Sequence, residues 1–188
     1  MLAILALAAP SLAATLTVDP SDSAAYATIS SAIASSTTGD TIEVVAGTYA
    51  ECIDTNGKSL TITGTAGSAT TALAAAGSCT NAVTVDSGET VALTGFTITN
   101  STSRGVYILS SSFAGDDLVF SGLGNSGTHG NALYADGAAV DLTDVTASNG
   151  SNNYGSIYVT NASDVGISDS TFSGNYAVYG GAIFTDGT

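Results

Sequence analysis

Short runs in which apolar and polar residues alternate recur along the chain, and Gly, Asn, Asp or Ser bounds each run. In Phe96-Thr97-Ile98-Thr99, the apolar residues occupy every second position. A period of two is typical of a β-strand that buries one face. Small residues at the ends favour turns with unusual backbone conformations. The pattern therefore predicts an all-β chain of many short strands.

Two of these runs alternate at a nearly constant spacing. One run begins at Gly95, Asp117, Asp144 and Asp169, and the other begins at Asn81, Gly105, Asn131, Gly155 and Gly181. The period of about 25 residues is typical of a solenoid, in which each coil is too short to enclose its own apolar side chains and buries them against its neighbours. We therefore predict a parallel β-solenoid of about six coils, a rod on the order of 30 Å long.

An antiparallel sandwich or jelly roll is the main alternative architecture, because it also consists of short strands that recur at regular intervals. Strand spacing alone does not separate the two folds. The fixed order of the two runs favours the solenoid. Leucine-rich repeats and propellers fit less well, since regularly spaced leucines are absent and a propeller blade needs about 40 residues.

The first residues indicate export. Residues 1–14 join an apolar run, Met1 to Ala9, to small residues that a signal peptidase would recognise, although no positively charged segment precedes the run. We predict a signal peptide and a secreted, extracellular or bacterial cell-surface protein, with the outer membrane and the periplasm as alternatives. No later run reaches the ~18 apolar residues that a membrane-spanning helix needs, so no membrane span is predicted.

The two cysteines agree with export. Cys52 and Cys79 do not have the spacing of a metal-binding motif, and in an exported chain they predict a disulfide. Closing that loop would stabilise the fold by ~3–4 kcal/mol in the chain-entropy model. The alternative is a pair of free buried thiols.

Charge excludes one class of partner. The chain has 16 Asp and Glu against 2 Lys and Arg, a net charge of −14. Only Lys58 and Arg104 are available to neutralise phosphates, and a nucleic-acid surface needs a basic patch. We therefore predict no nucleic-acid partner.

Residues 15–39 are predicted to form an N-terminal cap with a short helix, ahead of the β-solenoid at 40–188. Ser23 is a candidate N-cap for a helix from Ala24 to Ser35. Three residues at helical spacing would form its apolar face: Ile29, Ala32 and Ile33. A helix here would cover the open end of the first coil, which otherwise exposes unpaired backbone groups.

Three segments carry a resemblance to a known family: Tyr26-Ala27-Thr28-Ile29, Gly39-Asp40-Thr41-Ile42-Glu43-Val44 and Gly47-Thr48-Tyr49. Together they resemble the opening of pectin-lyase-like right-handed parallel β-helix proteins, in which a helix covers the first coil. The later segments 167–175 and 180–183 resemble repeats of polymorphic outer-membrane proteins and related bacterial surface adhesins. The resemblance covers residues 24 to 188 and implies a right-handed β-helix. Such relatives normally continue for further coils, so we expect the chain to be a fragment.

Catalytic candidates are few. The resemblance to pectate lyases would make Lys58 or Arg104 the proton-abstracting base, but Arg104 lies in a Ser-Thr-Ser-Arg-Gly segment without neighbouring aspartates and is interpreted as a turn residue. Asp116-Asp117 and Thr128-His129-Gly130 partly match polygalacturonase-like motifs, yet they lie about half a coil apart. Glycosidase chemistry needs two carboxyls within roughly 5–10 Å. We therefore predict no catalytic residue and interpret His129 as a solvated loop residue.

Calcium is the one cofactor that the sequence raises, because carboxylate oxygens at turns suit this ion. Neither an EF-hand loop nor a glycine-rich calcium repeat occurs. The aspartates are therefore interpreted as turn formers that keep the rod soluble, and no metal ligands are predicted.

One surface is a candidate binding site. Four residues are predicted at the same position of consecutive coils, where they would form an outward-facing strip: Ile108, Tyr134, Tyr158 and Phe184. Such a strip could stack on sugar rings or dock a partner protein. The alternative is a ladder that packs only against itself. The side-chain register is open in the first of these coils, where Val106 and Ile108 could both point inward.

We therefore predict a secreted or surface-displayed β-helix scaffold, adhesin-like, without catalysis in this segment. Its partner would be a polysaccharide or a host or cell-surface protein. One alternative is a polysaccharide lyase or glycoside hydrolase whose active site lies beyond residue 188. Another is a carbohydrate-binding module.

Overall fold

The computed structural model describes residues 12–75, 79–99, 101–123, 129–161 and 163–187. The predicted signal peptide therefore lies outside the described residues, except for residues 12–14. The described part contains one short helix and many strands, in the order β1 (Thr15–Val18), α1 (Ile29–Ser35), β2 (Thr41–Val44), β3 (Gly47–Tyr49), β4 (Ile53–Asp54), β5 (Leu60–Gly64), β6 (Thr71–Ala74), β7 (Asn81–Val85), β8 (Thr90–Thr99), β9 (Arg104–Leu109), β10 (Ser112–Ser121), β11 (Leu133–Asp136), β12 (Ala139–Ser148), β13 (Ser151–Tyr154), β14 (Ile157–Thr160), β15 (Asp164–Ser168), β16 (Thr171–Ser173), β17 (Tyr176–Tyr179) and β18 (Ile183–Asp186).

The strands form a parallel β-solenoid of about six turns, as predicted. Each strand pairs in parallel with the strand at the same place in the next coil, as β10 does with both β8 and β12. The largest sheet has ten strands, and a second sheet runs in the order β18-β14-β11-β9-β7-β4. An antiparallel sandwich would need neighbouring strands of opposite direction, so that alternative is wrong.

The ten-stranded sheet bends at a column of residues with left-handed backbone conformation. The column consists of Gly95, Asp117, Asp144 and Asp169, whose φ angles lie between 47° and 78°. Aspartate and glycine tolerate this conformation better than most residues do. The bend divides each long strand, so that the sheet supplies two faces of the coil. We call the strand halves before the bend face one, those after it face two, and the six-stranded sheet face three.

Faces two and three are the two runs found in the sequence, whereas face one was missed. Its strand segments end directly at the corner aspartates, as Ser112 to Asp116 does before Asp117. In the sequence, those aspartates mark the start of the face-two run, because a polar turn residue is typical of the boundary between two strands. One residue is enough to turn this corner. The coil therefore has three main faces, and in the last coils the short pair β13 and β17 adds a further segment before face three.

The interior is a narrow apolar core in which residues stack on the same position of the next coil. One such row contains Leu73, Ile98, Phe120 and Ala147, all buried. Complete burial of each large side chain contributes roughly 1.5–3 kcal/mol. Because a single coil contains only a few short strands, the core depends on contacts between coils.

The N-terminal end is covered by α1, and its N-cap is Thr28, not the predicted Ser23. The Thr28 side chain accepts a hydrogen bond from the backbone N–H of Ser31, and the Ser31 hydroxyl bonds back to complete a capping box. Ile29, Ala32 and Ile33 are buried as predicted. The helix is shorter than expected, because Tyr26 pairs with Val18 in an extended bridge.

Side chains from the first coils hold both ends of α1. Glu51 accepts hydrogen bonds from the backbone N–H groups of Ile29 at 2.8 Å and Ser30 at 2.9 Å. The ammonium of Lys58 donates to the carbonyl oxygens of Ile33 at 2.5 Å and Ala34 at 3.2 Å. A carboxylate at the N-terminus and a cation at the C-terminus both interact favourably with the helix dipole. Lys58 is therefore occupied in fixing the cap.

The cap segment 15–39 also contributes a strand. β1 pairs with β2 along its whole length, from Thr15 opposite Thr41 to Val18 opposite Val44. The strand at the predicted start of the solenoid, Thr41–Val44, is therefore the second strand of the described chain. Close by, Cys52 and Cys79 form the predicted disulfide, with a Cα–Cα distance of 6.1 Å, so the free-thiol alternative does not hold.

Two glycines with the same backbone conformation test how tightly the coils pack. Gly130 has a φ of 62°, and a Cβ there would lie 2.9 Å from the Cβ of Tyr158 in the next coil and still closer to the Leu133 carbonyl oxygen of its own coil; Gly122 has a φ of 60° and no heavy atom within 4 Å of such a Cβ. We expect Gly122→Ala to cost about 1–2 kcal/mol, the strain of the backbone alone. We expect Gly130→Ala to cost roughly 2–5 kcal/mol, because overpacking adds to that strain. Urea unfolding followed by circular dichroism measures both, and equal losses would contradict the tight inter-coil contact.

Candidate functional site

Face three carries a ladder of stacked aromatic rings on its outer side. The strand register places Tyr107, Tyr134, Tyr158 and Phe184 at the same position of consecutive coils. Successive ring centroids are 5.3–5.5 Å apart, and the ring planes differ by 4–19°. We call these four residues the first ladder. Each inner ring is covered on both faces, and Tyr158 is buried almost completely.

The predicted alignment on consecutive coils holds for Tyr134, Tyr158 and Phe184 but not for Ile108, and the binding role of the strip stays a prediction. Ile108 lies opposite Ala135 and is completely buried, and Tyr107 takes its place in the ladder. The sequence alignment matched Gly105 to Asn131, whereas the strand register sets Val106 opposite Leu133. A shift of one residue moves a side chain to the other side of a strand.

A second ladder lies beside the first, in the segments that lead into face three. It consists of His129, Tyr154 and Tyr179, with ring centroids 4.4 Å apart for the first pair and 5.2 Å apart for the second. His129 and Tyr154 also touch the first ladder edge-on, since their planes lie at 76° and 79° to the ring of Tyr158. We call the two ladders together the aromatic face.

The second ladder was not predicted, although the sequence contains a signal for it. Its three residues recur at the constant spacing of the solenoid, one in each of three consecutive coils. The interpretation of His129 as a solvated loop residue is wrong, because it stacks on Tyr154 and is half-buried. Burial lowers the pKa of His129, the nearby charge of Arg104 lowers it further, and Asp186 acts in the opposite direction.

Arg104 lies against both ladders. Its guanidinium carbon is 4.6 Å from the ring centroid of Tyr134 and 5.5 Å from that of Tyr107. Its Nε donates to the backbone oxygen of His129 at 3.1 Å, and burial lowers its pKa. Arg104 begins β9 instead of occupying the predicted turn. A guanidinium over a tyrosine ring is a favourable cation–π arrangement.

Carboxylates border the first ladder on the side away from His129. Asp136 and Asp186 lie two coils apart in one row, with Thr160 between them. The hydroxyl of Tyr158 donates to Asp186 at 3.0 Å, and the amide of Asn161 donates to Asp136 at 2.6 Å. Burial, together with the bond to Asp186, raises the pKa of Tyr158 to about 12. The aromatic face is therefore apolar in the centre and anionic along this border.

The other catalytic candidates are not brought together. Asp117 turns the corner between faces one and two, where it accepts hydrogen bonds from the backbone and hydroxyl of Ser68. His129 lies instead beside face three. Within the described ranges, no group of three or more His, Cys, Asp or Glu side chains is placed to hold a metal ion.

Comparison with protein-family models, curated proteins and solved structures finds no match to this chain. Its class, a parallel β-solenoid, therefore follows from the strand pairing described above. No helix in the described part of the chain is long and apolar enough to cross a membrane.

The corrected register is tested by two neighbouring substitutions in β9. Ile108→Ser should cost roughly 3–5 kcal/mol, because it leaves a cavity and a hydroxyl in the dry core. Tyr107→Ser should cost only about 1 kcal/mol, the value of one aromatic contact at a half-exposed site. Chemical unfolding of the two variants measures the difference. A larger loss of stability for Tyr107→Ser than for Ile108→Ser would contradict the corrected register and place Ile108 in the outer strip.

The environment of His129 predicts a dependence of stability on pH. Its pKa is lowered in the folded chain from the ordinary value of 6.5, so below that pH the unfolded chain binds the proton more readily. The free energy of unfolding should therefore fall as the pH drops through about 6.5 and level off below the folded-state pKa.

His129→Phe is the matched control, because it keeps a stacked ring and removes the titration. The variant should lose the change in stability in this pH window while keeping the losses at lower pH that arise from carboxylates. Unfolding titrations between about pH 5 and 8 provide the comparison. An identical pH profile for the two proteins would show that His129 does not titrate in the assumed surroundings.

Proposed function

We propose that this chain is an exported right-handed β-helix scaffold of the pectin-lyase-like type, related in role to bacterial surface adhesins. Its coils hold a binding face in position and carry no catalysis of their own. The partner is a polysaccharide or a protein at a cell surface.

The observation that carries this proposal is the position of Arg104 and His129. A lyase of this type would need a basic side chain that is free to approach an acidic sugar, whereas a hydrolase would need two converging carboxyls. Arg104 instead lies over Tyr134 and donates to the backbone of His129, and His129 is stacked on Tyr154. These contacts favour a structural role for both residues.

Export is supported by the disulfide between Cys52 and Cys79. Such bonds persist mainly in oxidising surroundings outside the cytosol. The net charge of −14 also favours solubility outside the cell. These properties suit a secreted or surface-displayed protein.

A carbohydrate-binding module is a second candidate, and the exposure of Tyr179 favours it. This residue is 54% exposed, and its ring stacks on Tyr154. An exposed aromatic ring face is a common platform for a sugar. The inner rings of the first ladder are less suitable, because their faces are covered by their neighbours. A polysaccharide lyase or hydrolase with its active residues outside these coils is the third candidate.

One experiment separates these functions. The full chain, coupled to beads, is incubated with polygalacturonate, with and without calcium, and separately with cells and polysaccharide-coated surfaces. The proposal expects adhesion of the beads without unsaturated products or new reducing ends. Product that forms, and that Arg104→Gln abolishes, would overturn the proposal in favour of an enzyme. Retention by polysaccharide alone would favour the carbohydrate-binding module.

A further inference from the structure

We propose that the outer side of face two binds the surface of crystalline ice. This site is separate from the aromatic face and goes beyond the proposed scaffold role, because its ligand is a lattice of water molecules. Three observations carry the inference. They are the regular placement of hydroxyl and methyl groups on this face, the freedom of most of these hydroxyls from partners, and the uncharged character of both rows.

Two rows of side chains cover face two, and the strand register gives each row one residue from every coil. The first row contains Ala72, Thr97, Val119, Thr146 and Thr171. The second row, two residues further along each strand, contains Ala74, Thr99, Ser121, Ser148 and Ser173. These side chains point outwards, because the residues between them, such as Ile98 and Phe120, are buried in the core.

The rows repeat in two directions, and the backbone sets both repeats. Neighbouring strands lie about 4.8 Å apart, and alternate residues of one strand lie about 6.6 Å apart. The oxygen lattice of hexagonal ice also repeats in two directions, at spacings close to these. A single polysaccharide or peptide chain repeats along one direction only. The arrangement therefore fits a crystal surface better than it fits a chain.

Most hydroxyls of the two rows are free to bind a ligand. Among the described residues, only Thr97 of these rows uses its hydroxyl, which donates to the backbone oxygen of Ser68 at 2.7 Å. On face one, by contrast, the hydroxyls of Thr143 and Ser168 are bonded to each other at 3.1 Å. Six hydroxyls of face two have no partner in the described part of the chain: Thr99, Ser121, Thr146, Ser148, Thr171 and Ser173.

The two rows contain no ionisable side chain, although the chain has 16 Asp and Glu residues. The outer side of face one, in contrast, has exposed carboxylates at Glu43, Asp116, Asp141 and Asp164. The corner aspartates, such as Asp144, lie at the border of face two and outside its rows. An ionic partner would therefore find no opposite charge in these rows. An aromatic platform for a sugar is also lacking in them.

The chemistry of the rows suits a lattice of water molecules. A threonine hydroxyl donates one hydrogen bond and accepts up to two, so it can take the place of a lattice water. The methyl groups of Thr, Val and Ala are apolar and gain from leaving liquid water when they pack against the crystal. Protein bound in this way stops the ice front from advancing where it is attached, and it keeps small crystals from merging into larger ones.

The incorporation of labelled protein into growing ice tests binding directly. The full chain, labelled with a fluorophore at its α-amino group, is placed in solution around a slowly growing ice hemisphere. Growing ice expels solutes that do not bind to it, so labelled serum albumin serves as the negative control. We expect fluorescence of this chain inside the ice. Grain growth in frozen sucrose films then gives the protein concentration that inhibits recrystallisation by half.

Matched variants assign the effect to face two. Thr146→Tyr raises a bulky ring in the first row and holds the face away from a flat crystal, while tyrosine suits a strand. The half-inhibiting concentration should rise at least about tenfold. The control is Thr143→Tyr, the same exchange at a half-buried outward position of face one in the same strand. It should change that concentration by less than about twofold, because it leaves both rows intact.

Ser148→Tyr provides a second variant in the other row and should reproduce the loss, with circular dichroism confirming that each variant is folded. Three results would overturn the inference: exclusion of the labelled chain from ice, equal losses for Thr146→Tyr and Thr143→Tyr, or retention on crystalline cellulose without incorporation into ice. The proposed function is tested separately, by bead adhesion and product formation, and its failure there would leave binding to ice unaffected.

Discussion

Parallel hydrogen bonding in register between successive coils is the constraint on which the other features depend. Each coil contains only a few short strands and too few apolar side chains to enclose a core. The core therefore consists of rows such as Leu73, Ile98 and Phe120, in which each residue touches its equivalent one coil away. Corner residues in the left-handed conformation keep every coil the same shape, so that the rows stay aligned.

The same register creates the aromatic face. When one outward position of face three is aromatic in several coils, the strand spacing itself brings the rings to within 5.3–5.5 Å of one another. The second ladder, which includes His129, then packs edge-on against the first. Arg104 lies against both ladders and is partly buried there. Arg104 and His129, the side chains with the most reactive chemistry on this face, are therefore engaged in packing contacts. The proposed binding role follows from what remains accessible, which includes the exposed ring of Tyr179 and the carboxylates along one border.

Much of this architecture could be predicted from the sequence, because alternation within strands and a constant repeat length between coils leave a clear pattern. The disulfide of Cys52 and Cys79 and the apolar face of the helix were also predicted correctly. Face one was missed, because a single corner residue such as Asp144 joins it to face two without a visible boundary.

The candidate site was predicted less well, for reasons that lie in the register. The sequence alignment placed Ile108 in the strip instead of Tyr107, an error of one residue in the register. The sequence of β9 alone does not reveal the error, because Val106 and Ile108 are both apolar, as core residues are. His129 was assigned to solvent, because a lone histidine beside glycine resembles a loop. Its partner Tyr154 lies one full coil further along the sequence, and only the stacking of coils brings the two rings together.

Distances between spin labels along one outer row test the stacking most directly. Seven residues of face one follow one another in register: Thr17, Glu43, Thr63, Thr94, Asp116, Thr143 and Ser168. Labels on cysteines at Thr17 and Ser168 should be about 29 Å apart, and labels at Glu43 and Ser168 about 24 Å, one strand spacing less. Distances that do not shorten by one strand spacing per coil would contradict parallel coils and favour two facing antiparallel sheets.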